Sequence, residues 1–267
     1  MKTENKNISI SDRIISYSVS GNGAPIVLLH PVGLDRTSWR EFCEDWPGDN
    51  KFIAIDTRGH GGSSKIEGDI EFNDFAEDVL AVIEAEGHRK VNVIGVSMGG
   101  MVAQHLALLH PECVKSLILC STAASFPEDV RGMILDRGNI DISDGMKAFV
   151  ELTIERWFSP DGKFSKIAKE CVERLLANDA PSWAASWGAI SRLNTLVDLE
   201  SLKIPTLVVT GESDVITPPL AAQTIFNAID GAELAIIPDA YHLGIFEIRE
   251  SFITCFSKFL NRIPVES

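Results

Sequence analysis

The sequence predicts an α/β fold: an eight-stranded, mostly parallel sheet with helices on both faces and a helical cap. Three observations carry that expectation. Short β-branched runs alternate with longer segments of helical period along most of the chain. Several of the runs are apolar almost throughout, as parallel strands covered on both faces are. Two further runs at the start are close enough in sequence to pair antiparallel before the alternation begins. The 267 residues are 45% hydrophobic and 23% charged, enough for one large core, and fit one domain with an insertion at least as well as two domains.

The strands are expected at Ile8–Ile10, Ile14–Val19, Ile26–Leu29, Phe52–Ile55, Val91–Ile94, Ser116–Leu119, Thr206–Val209 and Leu234–Ile237. Between them, Phe72, Phe75, Ala76, Val79, Leu80 and Ile83 share one helical face, and Gly87 follows as a stop. A helix over Met98–His110 ends before Pro111, another covers Pro219–Ile229 before Gly231, and a last one covers Ile248–Leu260. The alternation breaks once. From Phe126 to Leu199 the pattern is helical only and includes Trp157, Trp183 and Trp187. Residues 1–125 and 200–267 therefore read as the core, and 126–199 as a cap inserted between strands 6 and 7. An insertion there falls over the carboxyl ends of the strands, where open α/β sheets bind ligands.

Charge narrows the partners. Twenty-four Lys and Arg against 38 Asp and Glu leave −14, the opposite of the basic surface that phosphate backbones require. Anionic membranes would repel the chain as well. The first twenty residues hold no uninterrupted apolar stretch of the signal-peptide kind, and no apolar run reaches the ~18–20 residues that span a bilayer. Cys43, Cys113, Cys120, Cys171 and Cys255 are odd in number, widely spaced and without a C-x-x-C pair, which argues against a disulfide framework and a zinc site. The expectation is a cytoplasmic protein with a small-molecule partner, binding neither nucleic acid nor membrane.

Gly95-Val96-Ser97-Met98-Gly99 is a G-x-S-x-G after a strand and before a helix. A sharp strand-to-helix turn exposes the Ser97 hydroxyl, the small flanking residues avoid collisions around it, and the helix aims its amino-terminal dipole at a developing oxyanion. A serine nucleophile needs a base, and the base an orienting group. His242 lies in the loop after the last strand, at the same sheet edge. His105 and His110 ride the helix after Ser97, His88 stands among charged residues, and His30 and His60 sit in turns of their own. After the strand ending at Leu119 comes Cys120-Ser121-Thr122, with no carboxylate. After Thr206–Val209 comes Gly211-Glu212-Ser213-Asp214, so Asp214 is the leading acid and Glu212 the fallback.

The order Ser97, Asp214, His242 resembles that of the α/β-hydrolases, and differs from the chymotrypsin and subtilisin orders. Serine at the elbow separates the chain from haloalkane dehalogenases and soluble epoxide hydrolases, which carry aspartate there. Closer motifs follow in order: His30-Pro31-Val32-Gly33 with Trp39, Asp56-Thr57-Arg58-Gly59-His60-Gly61, Ser97 to Val102, Cys120-Ser121-Thr122-Ala123-Ala124, and Glu155-Arg156-Trp157-Phe158. Together they resemble the 3-oxoadipate enol-lactonases, with one departure, Tyr241-His242-Leu243-Gly244-Ile245 where A-H-L-S-N is expected. The resemblance implies an oxyanion hole of the Val32 and Met98 amides, acyl transfer to Ser97 followed by hydrolysis, and no metal or organic cofactor. It also implies a lactone carrying a free carboxylate, for which Arg58 is the candidate grip and Trp157 the candidate pocket wall; the alternatives are that Arg58 braces its own loop through carboxylates or carbonyls and that Trp157 is a core residue of the cap. The rival readings are a broad carboxylesterase, an acyl-homoserine lactonase, and a ligand receptor with vestigial turnover.

Overall fold

The computed structural model describes residues 2–139 and 146–264. Along the chain the strands are β1 (Thr3–Ile10), β2 (Arg13–Ser20), β3 (Ala24–Leu29), β4 (Asn50–Ile55), β5 (Val91–Val96), β6 (Val114–Cys120), β7 (Thr206–Gly211) and β8 (Glu233–Ile237). They form one sheet in the order β1-β2-β4-β3-β5-β6-β7-β8. β1 pairs antiparallel with β2 and β2 with β4; every other pairing is parallel. All eight expected strands are present.

β1 begins at Thr3, well before the expected Ile8. It is the edge of the sheet, paired with β2 from Thr3↔Ser20 to Ile10↔Arg13, and its outward residues face solvent. Pairing, not apolar content, defines its length, so hydrophobicity alone locates only its last turn of chain. The central strands behave oppositely. β5 is buried at every position, and its one polar side chain, Asn92, accepts from Ser116 Oγ at 2.7 Å and donates to Pro25 O at 3.2 Å.

The helices of the core are α1 (Arg40–Asp45), α2 (Phe72–Ala85) and α3 (Met98–Leu109). The chain moves one way across the sheet from β3 to β4 and the other way from β4 through β5 to β6. Right-handed crossovers therefore put α1 on one face and α2 with α3 on the other. α2 starts on a reciprocal cap between Glu71 and Asp74 and stops at Gly87, whose φ is 73°. Its buried face includes Asp78 beside the expected apolar residues.

Between β6 and β7 the described residues form α4 (Glu128–Asp136), α5 (Lys147–Trp157), α6 (Lys166–Ala177) and α7 (Ala180–Ser191). Part of the expected insertion, residues 140–145, lies outside the described residues. Both ends of the segment are pinned at one point. Ser125 bridges Asn194, Thr195 N donates to Ala124 O at 2.7 Å, and Thr195 Oγ1 donates to Gln104 Oε1 at 2.6 Å. The same Gln104, fully buried on α3, donates to Ala123 O at 2.9 Å. Farther out, Asn178 Nδ2 reaches Gly33 O at 2.8 Å and Ser182 Oγ accepts from Ile66 N at 3.0 Å, which ties α6 and α7 to the loops after β3 and β4. The chain closes with α8 (Pro219–Ala228), α9 (Gly244–Glu247) and α10 (Arg249–Leu260). Among the described residues no helix is long and apolar enough to cross a membrane. Cys43, Cys113, Cys120 and Cys171 are buried thiols and Cys255 is half-buried.

Candidate active site

Ser97 joins β5 to α3 at φ 54° and ψ −117°, a left-handed conformation that side chains rarely adopt. Its amide donates to Cys120 O at 2.9 Å, and its carbonyl accepts from Thr122 Oγ1 at 2.7 Å, so the neighbouring strand end holds the turn. The glycines on either side are steric requirements. A Cβ on Gly95 would lie 2.3 Å from Gly99 O, and one on Gly99 would lie 2.2 Å from Leu29 O.

The loops after β7 and β8 bring two partners to this serine. His242 Nε2 lies 3.1 Å from Ser97 Oγ, and His242 Nδ1 lies 2.8 Å from Asp214 Oδ2. Nδ1–H donates to the carboxylate, which leaves Nε2 free to accept the serine proton. Asp214 is itself fixed: Oδ1 accepts from the Ile216 and Thr217 amides, both at 2.9 Å, and Oδ2 accepts from Thr217 Oγ1 at 2.9 Å. Burial pushes the Asp214 carboxyl upward, but His242 and these amides outweigh it and hold it below its ordinary value. Glu212 is exposed, and its carboxylate accepts only at 3.4 Å, from Asp239 N. The fallback acid is thus not at the histidine.

Val32, in the loop after β3, and Met98, the first residue of α3, are both buried. Neither amide donates to another group among the described residues. Both N–H groups, one of them at a helix amino terminus, are thus unengaged among the described residues.

Ser97 opens onto two adjoining cavities. One, of about 260 Å³, is mostly apolar and is lined by Met101, Val130, Ile134, Ile190 and Ile216 among others. The other, of about 80 Å³, is bounded by His242, Trp157, Trp183, Trp187, Arg137 and Arg156. Trp157 bounds the smaller cavity, and its carbonyl also accepts from Leu243 N at 2.9 Å, bracing the loop that carries His242.

Arg58 departs from expectation. Its Nε donates to Asp78 Oδ2 at 2.8 Å and its Nη2 to Asp78 Oδ1 at 2.9 Å, a fork-to-fork pair with a carboxylate only 2% exposed. Arg58 lines neither cavity at Ser97. The expected substrate grip is an internal brace, because a buried carboxylate two turns into α2 claims the guanidinium. Three residues to which the sequence reading gave no role in the site stand at the cavity instead: Arg137, Arg156 and Trp187. Arg156 lay inside the quoted Glu155-Arg156-Trp157-Phe158 motif; Arg137, one more charge at the end of the charged helix α4, gave no local signal. Thr217, which orients Asp214, was missed likewise.

Residues 24–247 match the family described as alpha/beta hydrolase fold. The chain belongs to that family. Among curated relatives of this α/β-hydrolase, 3-oxoadipate enol-lactonase 1 of Acinetobacter baylyi is 29% identical, with 98% of this chain and 99% of that one covered. The (E)-2-((N-methylformamido)methylene)succinate hydrolase of the same organism is 26% identical over 78% of this chain and 80% of its own. Among solved structures, the enol-lactonase from Burkholderia xenovorans LB400 superposes with a TM-score of 0.89 at 24% identity, over 96% of this chain and 100% of that one. A thermophilic esterase from Thermogutta terrifontis gives 0.88 at 25% identity, over 98% and 100%. This α/β-hydrolase thus resembles enol-lactonases and esterases along nearly its whole length.

Proposed function

We propose that this α/β-hydrolase is a serine-dependent hydrolase of small esters or lactones, and that 3-oxoadipate enol-lactone, the substrate of aromatic-acid breakdown named by its relatives, is the first to test. One observation carries the reading: the continuous hydrogen-bonded path from Asp214 through His242 to a serine facing a cavity. In the proposed reaction Ser97 Oγ attacks the carbonyl carbon while His242 Nε2 takes its proton, and Asp214 stabilises the imidazolium. The Val32 and Met98 amides receive the oxyanion. The carbonyl–oxygen bond to the leaving enol breaks, the enol takes the proton and tautomerises to a ketone, and water, deprotonated by His242, then releases the acyl group from Ser97. Every proton moves between the chain's own groups, substrate and water. Residues 126–199 act as a cap that encloses the acyl carbon, supported by the cavity walls that α4, α5 and α7 contribute. The unpaired thiols suit the reducing cytoplasm, the proposed location.

The test is a panel of lactones and aryl esters with the wild-type protein, together with mass spectrometry after a sulfonyl fluoride. Multiple turnovers and a single adduct on Ser97 are expected. An adduct elsewhere, or one acyl equivalent followed by silence, overturns the enzyme reading. Turnover of esters with no action on the enol-lactone removes that substrate alone.

A further inference from the structure

The two cavities at Ser97 differ in kind. The smaller one holds two guanidinium groups, Arg137 and Arg156, and neither forms an ion pair with a carboxylate among the described residues. No carboxylate lines either cavity among the described residues. Arg137 stacks over the Trp187 ring at 5.4 Å. Burial, and then the like charge of Arg156, pull the Arg137 guanidinium below its ordinary value. In a chain of net charge −14, two guanidinium groups beside the nucleophile with no carboxylate partner among the described residues are an anion-binding arrangement. The larger cavity is lined mostly by apolar side chains, with Arg137, which it shares with the smaller one, its one charged residue among the described residues. It continues through the shared Phe126, Val130, Ile216 and Thr217 into a groove of about 500 Å³ that runs to the exposed Leu220.

We infer that the site is built for an amphipathic substrate, an ester or lactone with a carboxylate on its alcohol-derived half and an apolar chain on its acyl half. His242 decides the orientation. The leaving oxygen takes its proton from Nε2, so the alcohol-derived half lies on the side of the cavity that His242 bounds, which is the side of Arg137 and Arg156. The acyl chain then points away, past Ile134 and Val130 towards the groove. This inference rests on the serine-hydrolase reading and names its substrate class.

The experiment compares phenyl with 3-carboxyphenyl esters of acetate, butyrate and hexanoate, two leaving groups of similar basicity. In the wild type the carboxylate should raise kcat/KM by about 10–150-fold, the range of a charge-assisted hydrogen bond. Each added acyl methylene should raise it by about 3–4-fold until the cavity is filled. Arg137→Met with Arg156→Met should abolish the carboxylate gain and keep the chain-length gain. Val130→Trp, which narrows the passage to the groove, should do the reverse. Circular dichroism and methanesulfonyl fluoride labelling of Ser97 verify that each variant is folded and keeps its nucleophile. Wild-type protein indifferent to the carboxylate or to chain length, while still labelled at Ser97, overturns the inference, and this comparison needs no variant. Loss of both gains together in the arginine variants also overturns it. No labelling and no turnover of any ester instead brings down the serine-hydrolase reading beneath it.

Discussion

His242 and His30 are almost equally hidden, at 1% and 0% exposure, and each has a threonine hydroxyl near one ring nitrogen. Thr217 Oγ1 lies 3.3 Å from His242 Nδ1, and Thr57 Oγ1 lies 3.2 Å from His30 Nε2. What separates them is the second partner. His242 has a carboxylate at 2.8 Å on one side and a serine hydroxyl at 3.1 Å on the other. His30 donates from Nδ1 to the Pro31 carbonyl at 2.8 Å and accepts the Thr57 amide on Nε2 at 3.0 Å, with the His60 ring 5.0 Å away. Burial lowers His30 to about 4 and His60 to about 3. The lesson concerns charge: a buried imidazole beside a carboxylate can hold a proton transiently, while one surrounded by amides, carbonyls and another imidazole stays neutral and acts as a fixed strut.

The sharpest break of the comparison is removal of each ring. His242→Ala should reduce turnover by on the order of 10⁴-fold or more while the protein stays folded. Steady-state hydrolysis of a phenyl ester measures it, and near-normal turnover would return His242 to the struts. Asp214→Asn comes next. It keeps the shape, favours the wrong tautomer, and should cost on the order of 10³–10⁴ in kcat, whereas the exposed Glu212→Gln should cost little. The opposite ranking would move the orienting role to Glu212.

A smaller effect is expected from the struts, and on stability instead of rate. In the unfolded chain both histidines titrate near ~6.5. Below that pH the unfolded state binds protons that folded His30 and His60 refuse, so stability falls as pH falls, down to the folded values of about 4 and about 3. From pH 7.5 to pH 5 the loss should reach about 2 kcal/mol per histidine. Urea midpoints at the two pH values measure it, and His60→Asn should shrink the difference. An unchanged difference would show that burial of this ring is not its source. Glu86, lowered to about 2 by Lys51, Lys6 and Tyr17 against the pull of burial, contributes its own loss as pH falls from the ordinary glutamate value of 4.5 towards about 2. The least effect belongs to Thr217→Val. Asp214 keeps two amides and His242, so the missing hydroxyl should cost about 5-fold in kcat, the equivalent of one ordinary hydrogen bond of ~1 kcal/mol.

The polar struts also mark where sequence reading works and where it stops. The strands were legible because the inner stretches of β3, β5 and β6 are buried on both faces and are mostly apolar, and because β-branched side chains pack on such a sheet. Ser97, Asp214 and His242 were nominated from local sites at strand ends, each with its own short motif. Arg58 and Arg137 were not separable on such grounds. What distinguishes them is whether a carboxylate lies within reach, and Asp78 meets Arg58 only after α2 packs beside β2 and the loop after β4. A helix-face pattern registers Phe75 and Val79 but is silent on a buried Asp between them. Charge pairing is a tertiary property, and a pocket's chemistry is set by the charges left unpaired.

At Ser97 the residue that suits the turn and the residue that suits the chemistry are different residues. A φ of 54° with ψ of −117° costs a side-chain-bearing residue on the order of 1–3 kcal/mol, and glycine would occupy it without that cost. Ser97→Gly would therefore make the fold more robust to heat while silencing it. On the proposed reaction, this one position trades backbone comfort for a hydroxyl, so a sturdier chain and an active one call for different residues there.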